Sequence, residues 1–462
     1  MGSDESSIYQ GAMPSREGET VLEVHGMAQI PENNRYGRLH RIFTVWFTPN
    51  LVPAGFFIGT LCTASYIGVG FGLGVVCIVL GTILGGLLVS VLGTWGPVTG
   101  VGQIPLARLT FGRSVVVPGA LQWLSTIAWD AINAIFGAQA IHILIHTPFW
   151  LGLFIVLAMQ GVLGLFGYEA LHLFAKWMSF VLGVLFIVIT VKLVHIGNWH
   201  APATAHGGSL VGGFILMTTI SASFVISWAA YASDYSRYMR HDSSRRKIFW
   251  LTLAGVSASS IWIEILGLVA ASLVVQSTSG GIDHLLGGGL LGAAAMISIW
   301  IGTVSVNAMN DYSGSLALQA AGARIKRPYI AVIVTAAAFF LTLWLNTGNV
   351  AAKFENVLLF ATYWVPAFAA IQMVDWWRNR GAMDVSDITE FSSLHTRWDA
   401  ILSMAIGFAA SIPFMDTSIF IGWASSHWLF YGDIAFFVGF LVAGLAYFLF
   451  RWADTRSVRE PH

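Results

Sequence analysis

Residues 46–57 read WFTPNLVPAGFF. Two prolines, Pro49 and Pro53, and an asparagine, Asn50, interrupt a stretch that is otherwise apolar from Ile42 to about Tyr66. A stretch of that length crosses a bilayer, for which roughly 20 residues suffice. Proline removes a backbone donor and clashes with the preceding turn, and a carbonyl orphaned in hydrocarbon is costly. The residues alone leave two explanations open. One is a tolerated proline kink. The other is a break that offers backbone groups to a ligand, as the discontinuous helices of transporters do.

The rest of the chain places this stretch in a membrane. Of 462 residues, 56% are hydrophobic and 10% charged, against about 25% charged in soluble domains. The apolar residues fall in long blocks, without strand-like alternation or amphipathic stripes. The expected fold is therefore an all-α integral membrane protein. A formal net charge of zero argues against nucleic acid as a partner. The two cysteines, Cys62 and Cys77, lie in apolar runs and suggest neither a disulfide framework nor a zinc site. The first 41 residues are polar and lack the apolar core of a signal peptide. They read as a flexible cytoplasmic tail.

Twelve spans fit, at about 42–66, 71–92, 114–144, 149–166, 174–196, 209–234, 247–275, 286–320, 328–346, 350–377, 398–415 and 432–451. The third, eighth and tenth are long enough to tilt or bend. With this layout 21 of the 23 basic residues fall on one side; Lys353 and Lys192 are the exceptions. The positive-inside rule then puts both termini in the cytoplasm of a multi-pass protein of the cell membrane. Trp95, Trp150, Trp199, Trp250, Trp376, Trp377 and Trp452 fall near span ends, as an interfacial belt or ordinary packing would place them.

A bundle of this kind can be a transporter, a channel or a membrane enzyme. The 13 histidines are scattered without HExxH spacing, and no Walker loop occurs. No repeated filter or charged ring suggests a channel. A secondary transporter needs polar groups at mid-membrane, and several are present. Span 3 carries Gln122, Trp129, Asp130, Asn133 and Gln139; span 6 carries Trp228, Tyr231 and Asp234. Span 7 carries Glu264, and span 8 carries Thr303, Ser305, Asn307, Asn310 and Asp311. Intramembrane ionisable groups are costly and point to function. Asp234, beside Arg237 at a span end, reads rather as a structural ion pair, and Glu264 as a structural or gating carboxyl.

Three stretches carry a resemblance. WAAYASDYSRYM in span 6, GQIPLARLTFGRSVVVPGALQWLSTIAWDAINAIFGAQAI between spans 2 and 3, and NAMNDYSGSLALQ in span 8 resemble purine–cytosine permeases of the nucleobase–cation symporter-1 family, over residues 36 to 450. The resemblance implies the leucine-transporter-type fold, with 5+5 inverted repeats plus two helices. The repeats would be 42–196 and 209–377, followed by 398–451 and a C-terminal tail, 452–462. Spans 1 and 6 would both be discontinuous, with the substrate between them and spans 3 and 8.

A nucleobase is flat, aromatic and neutral, with donors and acceptors on its rim. Its site needs aromatic faces and edge amides. Trp129 and Asn133 are four apart and share a helix face; in relatives, tryptophans of spans 3 and 6 hold the ligand, here Trp129 and Trp228. Substrate contacts are expected from Asn50, Trp129, Asp130, Asn133, Trp228, Asn307 and Asn310. Met309 stands where fungal relatives tend to have proline, which leaves the span-8 register open. No cofactor is implied beyond a coupling ion, Na+ or H+. Sodium would use the break around Phe47 to Asn50 with Thr303 and Ser305, whose other reading is small-residue packing. Asp130, Glu264 or Asp311 would suit protons. The expected function is import of a cytosine- or purine-type base by cation symport. The alternatives are a related ring compound (allantoin, hydantoin, a pyridine or a thiamine-like vitamin) or a passive facilitator. Neither catalysis nor an obligate protein partner is implied; the surroundings are the lipid bilayer.

Overall fold

In the computed structural model, residues 27–457 are described, apart from 165–166, 274–277, 324–326, 382 and 386–387. The terminal stretches 1–26 and 458–462, with Arg16 and Arg459, lie outside the described residues, as do Arg324 and Lys326. Among the described residues, eight helices are long and apolar enough to cross a membrane. One bent pair makes a ninth, and three shorter apolar helices, Phe149–Leu163, Val332–Leu345 and Trp398–Phe414, lie where the sequence places three further spans.

Span 1 is helical over Leu39–Phe47, makes a single 3-10 turn at Thr48–Asn50, and resumes at Pro53–Thr60. Its halves meet at 61°. The two prolines act differently. Thr48 stays helical although Pro49 follows it, and Pro49 is accommodated in the tight turn. Val52, before Pro53, is extended, with φ −132° and ψ 150°. A residue preceding proline is pushed out of the helical region, and proline suits the first position of a new helix. Pro53 is therefore the breaker, and span 1 is discontinuous rather than kinked.

Span 6 runs Gly208–Ile226, tightens to a 3-10 helix at Ser227–Tyr231, and ends with Ala232–Ser236. It has no proline. Ser223 and Ser227 instead donate to the carbonyls of Ile220 (2.6 Å) and Phe224 (2.8 Å) three residues back, a competition with the backbone ladder that bends helices. Span 10 divides at Tyr363–Trp364, just before Pro366, into Val350–Thr362 and Val365–Arg378. The other spans are Gly70–Gly93, Val116–Ile145, Phe149–Gly164, Gly167–Ile196, Arg245–Ala270, Gly289–Ala320, Arg327–Leu345, Trp398–Ser411 and Ala435–Ser457.

The packing partners reveal the repeat. Span 1 packs on span 7 as span 6 packs on span 2. Span 4 meets span 8 as span 9 meets span 3. The span-1 break touches span 5, and the span-6 break touches span 10. Spans 2 and 7, and spans 3 and 8, pair with each other. Advancing every span number by five maps this pattern onto itself, which is the 5+5 inverted repeat; spans 11 and 12 stand outside it. Spans 1 and 7 approach closely because they are glycine-lined. A Cβ on Gly59 would lie 1.8 Å from the Glu264 carbonyl oxygen, and one on Gly267 would lie 1.8 Å from that of Phe56. Such small-residue contacts let backbones pack where lipid offers no hydrophobic drive.

One expectation is corrected, and one open alternative is decided. Part of the segment expected to be a free tail is packed. Ile30 is buried, Arg35 donates from Nε to the Ile30 carbonyl (2.8 Å) and from Nη1 to that of Pro97 (2.7 Å), and Gly37 bridges to Met239. Trp95 and Trp376 do not belong to an interfacial belt; they are buried and stack at 4.6 Å. Trp150, Trp250, Trp377 and Trp452 are exposed.

The loop between spans 11 and 12 is anchored by Asp433, which accepts from the Asp416 amide (2.9 Å), the Ala435 amide (2.8 Å) and the Tyr363 hydroxyl. Burial, and then the charge of Asp433, push the Asp416 carboxyl up to about 7. An acid raised on folding stabilises the folded state below its ordinary pKa of about 4. That contribution is lost as pH rises through the raised value. The thermal midpoint is thus expected to fall from about pH 5 to about pH 8, and the Asp416→Asn variant to show a smaller fall. Equal pH dependence in both would contradict this assignment.

Candidate substrate site

The two helix breaks face one another across a cavity. Pro49 and Val52 come from span 1, and Phe224, Ser227, Trp228 and Tyr231 from span 6. Trp129 and Asn133 come from span 3, Val306 and Asn310 from span 8. Its volume is ≈ 10 Å³, about enough for one water. The wall is thus mostly aromatic and apolar, with two amides and a few hydroxyls, the composition of small-molecule sites. Trp129 meets Phe224 at 5.7 Å, and its indole N–H is buried without a partner among the described residues.

The orientation of the span-3 amide follows from a chain of hydrogen bonds. Asn307 donates from Nδ2 to the backbone carbonyl of Asp130 (3.1 Å), and a carbonyl can only accept. Its Oδ1 is then the atom facing span 3, where it accepts from Asn133 Nδ2 at 3.0 Å. Asn133 is left with its carbonyl oxygen unengaged. Asn133 therefore offers a ligand that acceptor with a fixed orientation, beside the second hydrogen of its Nδ2.

A second relay joins the breaks. Trp228 donates from its indole N–H to Asn50 Oδ1 (3.0 Å), and Asn50 Nδ2 donates to the Trp46 carbonyl (2.7 Å). Trp46 packs edge-on against Trp228 and Tyr235. Asn50 thereby consumes a carbonyl freed by the break in span 1 and holds the Trp228 ring. Asn50→Ala is expected to destabilise the protein by about 1–3 kcal/mol, the cost of leaving buried partners unpaired. The loss should shrink in a Trp228→Phe background, where no indole N–H remains. Equal losses in the two backgrounds, measured by thermal unfolding, would show that the bond contributes nothing.

The model of a family described as permease for cytosine/purines, uracil, thiamine, allantoin matches residues 29–439. The chain belongs to this family. The permease is 25% identical to a putative purine-cytosine permease, YxlA, of Bacillus subtilis, over 93% of the chain and 95% of that protein. It is 25% identical to the purine-cytosine permease fcyB of Emericella nidulans, over 94% and 89%. Among solved structures it shares its fold with Mhp1, a nucleobase-cation-symport-1 family transporter in a closed conformation with bromovinylhydantoin bound. The TM-score is 0.72 at 18% identity, covering 94% of the permease and 96% of that chain. The resemblance read from the three motifs therefore holds, and the permease has relatives that are transporters rather than enzymes.

Of the seven residues expected at the substrate, four line the cavity: Trp129, Asn133, Trp228 and Asn310. Asn50, Asp130 and Asn307 lie one layer behind. Asn50 positions Trp228, and Asn307 orients Asn133. Asp130 Oδ2 turns away from the cavity, accepting from Gln160 Nε2 at 2.8 Å. Among the coupling candidates, Phe47 stacks on Phe43 at 5.4 Å. Thr303 turns its methyl toward Gly137 of span 3, whose Cβ would lie 3.2 Å from it. Ser305 is buried, and Asp311 accepts from Gln160 at 2.8 Å. Two other acids lie away from the cavity wall. Asp234 accepts from the Gln103 amide (2.7 Å) at the start of the helix Gln103–Phe111. Glu264 accepts from Ser221 (2.7 Å).

Sequence reading overlooked Phe224, Ser227 and Gln160, and noted Tyr231 among the polar groups of span 6 without expecting it at the substrate. Ser227 and Tyr231 flank Trp228 within one turn, so the tryptophan already pointed to them. Gln160 is a lone amide in an otherwise apolar span, which carries the same warning as an intramembrane charge.

Proposed function

We propose that the permease imports a nucleobase or a close ring analogue by symport with a cation, through alternating access at the junction of spans 1, 3, 6 and 8. The observation that carries this reading is the pairing of Trp129 and Trp228 with Asn133 and Asn310 around one cavity between two helix breaks. Aromatic faces suit a flat ring, and edge amides suit its rim. The acceptor presented by Asn133 suits an N–H or amino edge, which cytosine, adenine, hypoxanthine and uracil all carry. The small cavity means that a base enters only when the walls part, as alternating access requires. The family description and the curated relatives support the substrate class, and the asymmetry of basic residues supports cytoplasmic termini.

The test is uptake of labelled cytosine, adenine, hypoxanthine, uracil and allantoin into proteoliposomes, with proton and sodium gradients imposed separately. Saturable, gradient-driven accumulation of an amino- or N–H-edged base is the expected result. Absence of saturable uptake of every ring compound would refute the reading, and uptake indifferent to both gradients would make the protein a facilitator.

A further inference from the structure

Behind the cavity lies a second buried polar cluster. Gln160 of span 4 donates from Nε2 to Asp130 Oδ2 of span 3 and to Asp311 Oδ2 of span 8, each at 2.8 Å. Both Oδ2 atoms are held by the same Gln160 Nε2, which sets the two carboxyl groups side by side. The second oxygen of each carboxyl and Oε1 of Gln160 are buried with no donor among the described residues. Asp130 and Gln160 are fully buried.

No Lys, Arg or His pairs with either carboxyl among the described residues. The titratable group facing the pair from span 6 is the Tyr231 phenol, which bonds Thr126 (3.4 Å). Arg237 donates instead to the Tyr312 hydroxyl at 3.2 Å. Span 9 contributes the Thr342 hydroxyl, which donates to the Ala131 carbonyl.

An ionised carboxylate only accepts hydrogen bonds, so two facing carboxylates cannot bond unless one carries a proton. Two like charges this close, one fully buried and the other half-buried, disfavour each other's ionised form and favour binding of a proton by the pair. The cluster has three orphan acceptors among the described residues, and a bound proton supplies a donor to one of them. Its position ties it to the cavity. Asp130 follows Trp129, Asp311 follows Asn310, and the Asn133–Asn307 relay ends on the Asp130 carbonyl.

We propose that Asp130 and Asp311, bridged by Gln160, form the binding site of the co-transported proton. The proton is taken up when the base engages Trp129 and Asn310, and is released as the base leaves. This rests on reading the chain as a base–cation symporter, and it assigns the cation as H+.

The test uses purified full-length protein in weakly buffered detergent solution. Cytosine and hypoxanthine are added, and proton uptake and equilibrium binding are followed from acid to alkaline pH. One proton taken up per base is expected. Base affinity should fall about tenfold per pH unit on the alkaline side. In Asp311→Asn and Asp130→Asn, proton uptake should vanish and the pH dependence should flatten. Wild-type affinity that ignores pH, or variants that keep the wild-type proton uptake, would overturn the proposal.

Infrared difference spectra, acid minus alkaline, of ligand-free wild type and of the Asp130→Asn/Asp311→Asn double variant separate the two claims. If wild type binds no base, the transport reading fails, and the spectra alone judge the pair. A protonated-carboxyl band that wild type gains on acidification and the double variant does not supports a proton-binding pair. Its absence from wild type overturns the site.

Discussion

Arg108→Ala is expected to destabilise the permease by on the order of 4 kcal/mol, seen as a much lower thermal midpoint in detergent. Arg108 lies in the helix Gln103–Phe111 between spans 2 and 3 and is almost fully buried. Its guanidinium donates to four carbonyls: Ala320 at 2.9 Å, Gln319 at 3.1 Å, Ile388 at 2.7 Å and Thr389 at 3.1 Å. Two of these end span 8, where the last carbonyls of a helix lack regular helical donors and Gln319 accepts also from the Gly322 amide (2.9 Å), and two belong to the loop after span 10. Phe391 covers the group at 5.3 Å. Burial lowers the guanidinium to about 10, so it stays charged at neutral pH. Hydrogen bonds from a charged donor contribute about 1.5–3 kcal/mol each; those to Ala320 and Ile388 are buried, and those to Gln319 and Thr389 partly so. Arg108→Lys should recover only part of the loss, because one ammonium cannot reproduce a planar fork. A midpoint for Arg108→Ala within a few degrees of wild type would show that water replaces the cap.

Trp129→Ala and Asn133→Ala are each expected to weaken base binding roughly ten- to hundredfold, for different reasons. A base–aromatic stack contributes about 1–3 kcal/mol, which converts to that range of affinity. Stacking ignores rim chemistry, so Trp129→Ala should weaken all bases alike, and Trp129→Phe should recover part of the loss. Asn133→Ala removes an oriented acceptor and leaves a ligand N–H buried without a partner, about 1–3 kcal/mol. Its effect should therefore be larger for bases that present an N–H or amino edge. The measurement is equilibrium binding of two or three bases to each purified variant, with thermal midpoints as a folding control. Unchanged affinity in Asn133→Ala would place the site elsewhere. A change of selectivity without loss of affinity in Trp129→Ala would reverse the two roles.

Much of this was legible in the chain. Span number followed from apolar blocks and the one-sided placement of arginine, because hydrocarbon admits only long apolar helices. The break in span 1 was legible in Pro53, because proline restricts the residue before it whatever surrounds the pair. Trp129 and Asn133 could be paired because they lie on one helix face, a local property. The break in span 6 left only a weak trace, its serines, since any serine in a helix can bend it or leave it straight. What no local rule supplies is which neighbour a polar side chain meets. Asn50, Asp130 and Asn307 look like ligand-facing groups by residue type and depth. The packing of spans 3, 4 and 8 turns Asp130 toward Gln160 and Asp311, and the bond to a backbone carbonyl commits Asn307 to orienting Asn133. These hydrogen bonds join residues 30 to 178 positions apart. Their partners are chosen by helix packing, and only the tertiary structure decided whether each buried polar group faces the cavity or supports a group that does.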